Sequence, residues 1–244
     1  MPAKTKIREM FDSIAADYDR LNHLLSLDVD KSWRRKALRP LRQAQGPVGE
    51  LAEPQVLDLA CGTGDFAITI AKALPGAHVT GVDLSEGMLA VMEEKVKALG
   101  LEGRISVETG DGEDLRFTDS SFDLVTNAFG IRNFENRAKG LEEAFRVLKP
   151  GGRLVILELS RPESGILRRL YDLYFLNILP KIGGRLSGDK AAYAYLPASV
   201  KSFPGRKEFC KMMRDAGFEG VAHKSFSFGI CRMYTGDKIG RAHV

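Results

Sequence analysis

The sequence predicts an α/β fold in which a doubly wound, mostly parallel sheet carries helices on both faces. Three observations predict it. Short apolar runs alternate with helix-length segments between residues 55 and 159, the pattern of a parallel sheet covered on both sides. The first run, Val56-Leu57-Asp58-Leu59, breaks into a glycine turn, Ala60-Cys61-Gly62-Thr63-Gly64, with a helix starting at about Asp65. Two closing strands, near Phe218–Phe226 and Gly229–Thr235, stand too close in the chain for a crossover. They must form a hairpin, which turns one of the seven strands antiparallel.

Each element has its own signal. Residues 1–45 read as a helical lid, because Ile7, Met10, Phe11 and Ile14 recur at helical spacing, as do Leu21, Leu24 and Leu25. Gln45-Gly46-Pro47 ends it. Strands follow at about 55–59, His78–Asp83, Ile105–Gly112, Ser121–Phe129 and Arg153–Leu159, the last entered through a turn at Leu148-Lys149-Pro150-Gly151-Gly152. The helices between them span about 65–74, 86–99 and 136–148, with Ser85 as N-cap of the second. Residues 160–204 interrupt the alternation: a helix-like Ile166 to Leu179, then Gly183-Gly184 and a polar loop. Pro204 opens a further helix that Gly217 closes. The expected organisation is a single domain over 1–244, with a lid (1–45), a cofactor-binding core (55–159), a substrate-side insertion (160–204) and a closing helix and hairpin (205–238). Arg241 to Val244 reads as a loose tail.

Composition narrows the class. The 244 residues are 44% hydrophobic, ample for one large core, and the net charge of +4 argues weakly for nucleic acid. Cys61, Cys210 and Cys231 match no metal or disulfide framework, so no metal is expected and a reducing cytoplasm suits the chain. Cys61 has no base partner and reads as a space-filling side chain. No secretion signal and no run long enough to span a bilayer is expected. Six basic residues and no acid fall between Lys31 and Arg42, which favours a solvated helix face over a binding patch.

The glycine turn announces a nucleotide. Gly62-x-Gly64-x-x-Ala67 with Asp83 downstream formally fits a dinucleotide fingerprint. Asp58 decides against it: a pyrophosphate wants bare amides and a helix N-terminus, and a neighbouring acid repels it. S-adenosylmethionine carries an ammonium and a sulfonium, which Asp58 suits. Gly62, Thr63 and Gly64 then form the cofactor turn, and Asp83 takes the ribose hydroxyls. Asp111 accepts from the adenine amino group, with the Gly112 amide facing the ring. Taken in this order, the pieces resemble the class I S-adenosylmethionine-dependent methyltransferases, which implies a Rossmann-like sheet with one reversed strand.

The loop after the fourth strand, Asn127-Ala128-Phe129-Gly130-Ile131-Arg132-Asn133, faces the reacting methyl group in such folds. It holds no Asn/Asp-Pro-Pro-aromatic motif for an amino acceptor and no cysteine for covalent attack on a base. Those absences favour a small molecule. The flanks resemble the menaquinone/ubiquinone C-methyltransferases: Met10 to Asp19, Trp33-Arg34-Arg35, Phe129 to Asn133, Leu157 to Pro162, and above all Leu179 to Gly183, Ser187 to Lys190 and Tyr193 to Val200. The resemblance, spanning about 7–238, implies methylation of a ring carbon of a prenylated quinol in quinone biosynthesis. Asp28 stands where the family often has glycine, and Ala128 where ubiquinone-competent members often have serine, which leans toward demethylmenaquinol over the benzoquinol.

Because a quinone carbon is electrophilic, the ring must be reduced. Arg132 is the expected stabiliser of the developing phenolate, against the alternative of a surface ion pair. Asn133 is expected at the second ring oxygen, and Tyr18, on the lid, over the donor methyl. No histidine stands out as base. The isoprenoid tail raises a question of access. Leu167 to Ile182 mixes Arg168, Arg169 and Lys181 with apolar residues. That composition favours a core helix, with a groove for the tail, or peripheral contact to an anionic membrane at the inner face, as the alternatives.

Overall fold

A computed structural model describes residues 4–43, 53–178 and 190–240. Two helices, α1 (Lys4–Ser26) and α2 (Val29–Gln43), precede the first strand. Their boundary is the pair Leu27 and Asp28, both left-handed at φ 52° and 60°. The position where glycine was expected is therefore a real left-handed turn, made here by an aspartate, one of the few residues that tolerates it. Ile7, Ile14 and Ala15 are buried under α1. The side chains of Leu21, Leu24 and Leu25 lie outside the described set, as do the Gln45-Gly46-Pro47 break, Leu179 to Asp189 with Gly183-Gly184, the side chain of Tyr193, and the tail from Arg241.

Seven strands form one sheet, β1 (Gln55–Leu59), β2 (His78–Asp83), β3 (Ile105–Thr109), β4 (Phe122–Ala128), β5 (Leu148–Leu159), β6 (Glu219–Phe226) and β7 (Cys231–Asp237), in the order β3-β2-β1-β4-β5-β7-β6. All neighbours pair in parallel except β7, which is antiparallel to both β5 and β6. The expected hairpin is present, and β7 is the reversed strand. The turn at Lys149-Pro150-Gly151-Gly152 lies within β5 as a register shift: β4 pairs Phe122 with Leu148, then Leu124 with Arg153.

The helices between strands are α3 (Asp65–Ala73), α4 (Glu86–Ala98) and α5 (Arg137–Val147). Ser85 caps α4, accepting from the Met88 amide at 3.1 Å. One face of the sheet packs on α2, α3 and α4, through Trp33, Leu38, Leu41, Ile70 and Met92. The other packs on α5 and a later helix through Leu141, Phe209 and Met213. Beyond β5 come α6 (Gly165–Asp172), a π-helical continuation (Leu173–Ile178), α7 (Lys190–Ser202) and α8 (Arg206–Asp215). The polar loop expected after Gly183-Gly184 gives way, from Lys190, to the helix α7, which holds Pro197 inside it. A second correction concerns α6. Tyr171 and Phe175 are buried in a core cluster, but Ile166, Leu170 and Leu173 are 75%, 60% and 57% exposed, so in its described part only one face of this segment is core. A third cluster, Ile14, Ala15, Met88, Tyr171, Phe175 and Val200, ties α1 to α4 and to the segments after β5. It closes the carboxyl end of the sheet.

Candidate active site

Strand order reverses at β1, which opens a crevice beyond the carboxyl ends of the strands. The crevice is lined by Asp58, Gly62 and Thr63 from β1 and its turn, Asp83 and Ser85 after β2, Asp111 and Gly112 after β3, Ala128 and Phe129 after β4, and Tyr18 from the lid. Asn133 also lines it. Gly64 does not: it stands behind the turn at φ 81°, where a Cβ would lie 2.4 Å from Met92 Cγ. Gly62, at φ 56°, has nothing within 4 Å of its missing Cβ. One glycine thus permits helix packing and the other leaves the crevice open.

Asp58 is almost fully buried. Its Oδ1 accepts from Thr126 Oγ1 at 2.7 Å, and its Oδ2 has no hydrogen-bond partner. Burial pushes its pKa up to about 7, against the opposing pull of Thr126 and Arg34. A buried carboxylate oxygen without a partner is costly unless a ligand supplies the donor. The ammonium group of S-adenosylmethionine is such a donor. Asp83 Oδ2 accepts from the Gly62 amide and Oδ1 from the Ser85 amide, both at 2.9 Å, which leaves each oxygen a lone pair for a ribose hydroxyl. Its pKa is raised too, by burial, with the Ser85 and Gly62 amides working against the rise. The residues present therefore fit the donor molecule. Asp111 differs from expectation in one respect, since its Oδ2 already holds Lys4 Nζ at 2.6 Å. Burial lifts the Cys61 thiol well above its ordinary pKa, which favours the thiol over the thiolate and suits a space-filling side chain.

A second, mostly apolar cavity adjoins the crevice. Its walls include Trp33, Leu159, Tyr171, Phe175, Leu196 and Ile230, and it shares Tyr18, Arg34 and Phe129 with the crevice. Phe129 is left-handed at φ 63°, a strained geometry of the kind found at functional sites. Its ring sits 5.4 Å from the Arg34 guanidinium and 6.1 Å from the Trp33 ring.

Arg132 lines this apolar cavity, while Asn133 lines the crevice. Arg132 is 4% exposed, which removes the surface-ion-pair alternative. Nη1 binds Glu158 Oε1 at 2.9 Å and the Phe129 carbonyl, and Nε donates to Ser199. Glu158, wholly buried, also accepts from the Arg132 amide at 3.0 Å. Burial alone would depress the arginine pKa; Glu158, with Tyr18 and Tyr195, more than offsets this and holds it above the ordinary value. Asn133 Oδ1 accepts from Tyr195 at 3.0 Å. Burial raises the Tyr18 pKa, opposed by Arg132 and Arg34.

Sequence reasoning assigned no role to Glu158, Phe129 or the polar face of α1. That face latches the lid onto the cofactor turn and its neighbours. Asp12 accepts from Ser85 Oγ at 2.5 Å and from the Gly87 amide at 3.0 Å. Asp19 accepts from Thr63 Oγ1 and pairs with Lys95 at 2.7 Å. Lys4 reaches Asp111 and Glu113. The available signal was the seven-residue spacing of Asp12 and Asp19, which puts both on one side of the helix.

Comparison with known proteins follows the same lines. The model of the ubiE/COQ5 methyltransferase family matches residues 2–238. A ubiquinone/menaquinone biosynthesis C-methyltransferase UbiE from Geobacter sulfurreducens is 48% identical over 96% of this chain and 88% of its own length. A demethylmenaquinone methyltransferase from Bacteroides fragilis is 44% identical, covering 96% of this chain and 92% of that one. Among solved structures, a possible histamine N-methyltransferase from Thermotoga maritima aligns with TM-score 0.64 at 22% identity, over 94% of this chain and 99% of that one. Phosphoethanolamine N-methyltransferase 2 from Haemonchus contortus, in complex with S-adenosyl-L-methionine, aligns with TM-score 0.60 at 18% identity, over 84% of this chain and 52% of that one. At these identities the structural likeness is one of fold.

Proposed function

The chain belongs to the ubiE/COQ5 methyltransferase family, and from that premise we propose how its two joined cavities divide the labour of an S-adenosylmethionine-dependent C-methylation in quinone biosynthesis. The crevice is the cofactor site and the apolar cavity takes a prenylated hydroquinone, most specifically demethylmenaquinol. The observation that carries this reading is the shared wall of Tyr18, Arg34 and Phe129. A ring placed there touches the polar crevice on one side while its tail lies among apolar side chains.

When bound, S-adenosylmethionine supplies an activated methyl group on its sulfonium. Asp58 Oδ2 would hold the ammonium, Asp83 the ribose diol, and Asp111, shared with Lys4, the adenine amino group; Thr63 and the Gly62 and Gly112 backbones complete the cradle. The chain's own work is alignment and exclusion of water. Tyr18 and the latched lid cover the junction. Arg132, fixed at its amide and guanidinium by Glu158, presents a permanent cation and stabilises the phenolate of the reduced ring. Pairing with Glu158 offsets part of that charge, so Arg132 acts at short range. Asn133, held by Tyr195, meets the ring from the crevice side. With the donor bound, the electron-rich ring carbon would take the methyl group as the carbon–sulfur bond breaks and S-adenosylhomocysteine leaves, and the proton displaced from that carbon would pass to solvent as aromaticity is restored.

The tail makes the substrate a lipid, so the enzyme meets it at a membrane surface, on the cytoplasmic side. Among the described residues no helix is long and apolar enough to cross a membrane, and the contact we propose is a peripheral one. Turnover measured side by side on reduced demethylmenaquinone and on its benzoquinone-pathway counterpart tests the substrate choice. Faster methylation of the naphthoquinol supports it, and a benzoquinol preference overturns it.

A further inference from the structure

Two loop tips carry large apolar side chains in a conformation that such residues rarely adopt. Leu27, between α1 and α2, has φ 52° and is 81% exposed. Phe228, between β6 and β7, has φ 57° and is also 81% exposed. Left-handed backbone is strained for both, and the exposure forgoes the burial that would offset it. Among the described residues neither side chain belongs to a packed apolar cluster, which leaves both open to a partner from outside.

Their location says from where. Leu27, and Ser227 beside Phe228, line the apolar cavity. Tyr174 lines it from a third side, next to the exposed Leu173, with Leu170 one turn earlier. Three segments far apart in sequence thus surround a single cavity with exposed apolar groups. The charge around them is basic. Arg168 and Arg169 are exposed on α6, Lys36 lies over the Phe226 ring at 5.6 Å, and the acid at the first tip, Asp28, is already paired with Lys31 at 2.7 Å.

We infer that this rim is the surface by which the enzyme docks on one leaflet of an anionic bilayer, with Leu27 and Phe228 inserted among the acyl chains and the cavity opening onto the lipid. The inference rests on the reading of that cavity as the site of a prenylated quinol, and deepens it by naming the surface and its partner. A second copy of the chain is the poorer occupant, since it would face Arg168 and Arg169 with a like patch and seal the route for the tail. A bilayer satisfies apolar tips and basic flanks together.

The test uses sedimentation with vesicles of phosphatidylcholine alone and of phosphatidylcholine with phosphatidylglycerol, for the full chain and for the double variant Phe228→Ser, Leu170→Ser. Both positions are exposed and outside the cavity lining, so folding and turnover of a tail-less quinol should be unchanged. Wild-type protein should bind the anionic vesicles more strongly. Each lost side chain should weaken partition on the order of tenfold, with a matching loss of methylation of long-tailed quinol embedded in those vesicles. Arg168→Ala with Arg169→Ala should remove the preference for anionic lipid. Absence of vesicle binding, or binding unaltered in the double variant, overturns the inference. So does a wild-type dimer that the double variant splits while vesicle binding persists. Failure of wild type to methylate the tail-less quinol would instead sink the substrate reading, and leaves the vesicle measurement standing on its own.

Discussion

Asp58 should make cofactor binding a proton-releasing event. Burial raises its pKa to about 7, and the orphaned Oδ2 gives that proton nothing better to do in the free enzyme. An ammonium group placed against Oδ2 favours the ionised form and draws the pKa down. At pH 6 the free carboxyl is about nine-tenths protonated, so binding should release about 0.9 proton, falling to about 0.1 at pH 8. Affinity should tighten about tenfold over the same interval and level off above it. Calorimetry with S-adenosylhomocysteine, in buffers of different ionisation enthalpy, measures both quantities. The same shift acts on stability, and its sign is set by a raised acid pKa. The free folded protein holds this proton more tightly than the unfolded chain, so the contribution is favourable at low pH and is lost as pH rises from about 4 to about 7. The loss amounts to about 4 kcal/mol. Asp58→Asn should therefore stabilise the free protein at pH 8 while weakening the cofactor by one to two orders of magnitude, as expected for a charge-assisted hydrogen bond. No proton release at pH 6, or equal release from Asp58→Asn, would refute the assignment.

Other consequences follow from the same geometry. Arg132→Ala strands the buried Glu158 carboxylate and should cost about 3–5 kcal/mol in thermal or denaturant unfolding. The neutral pair Arg132→Gln, Glu158→Gln should fold better than that single variant, bind cofactor normally, and still lose turnover by at least about 100-fold. Gly62→Ala meets open space, so it should lose only about 1 kcal/mol to its positive φ while weakening the cofactor. Gly64→Ala drives a methyl into Met92 and should lose roughly 2–4 kcal/mol of stability, readable by melting without cofactor. Asp19→Asn, which weakens the latch to Thr63 and Lys95, should speed cofactor dissociation roughly tenfold in stopped flow; an unchanged rate would remove the lid from the release step.

The sheet was legible because its central strands β1, β4 and β5 are mostly buried and read as apolar runs, and because Gly62, Gly64, Ser85 and Gly217 carry turn chemistry that works locally. Asp58 was legible for the same reason, as an acid inside an apolar strand. Partnerships across long separations were not. Arg132 stood out as a candidate, but Glu158 lies 26 residues further on, and only strand pairing brings the end of β5 beside the turn after β4. The latch between α1 and the cofactor turn spans 44 residues at Asp19 and Thr63. Composition misled in part at α6, where Ile166 and Leu170 face outward, and at α7, where a segment expected to be a polar loop is a helix.

In the proposed reaction an electron-rich ring carbon, held at the junction of the two cavities, takes the methyl group. The most direct measurement supplies S-adenosylmethionine with an isotopically labelled methyl group to the enzyme with demethylmenaquinone, fully reduced in one reaction and fully oxidised in the other, and locates the label in the product by mass spectrometry and NMR. Label on a ring carbon, formed from the reduced substrate alone, is the predicted result. Label on oxygen, or equal labelling of the oxidised quinone, would contradict it.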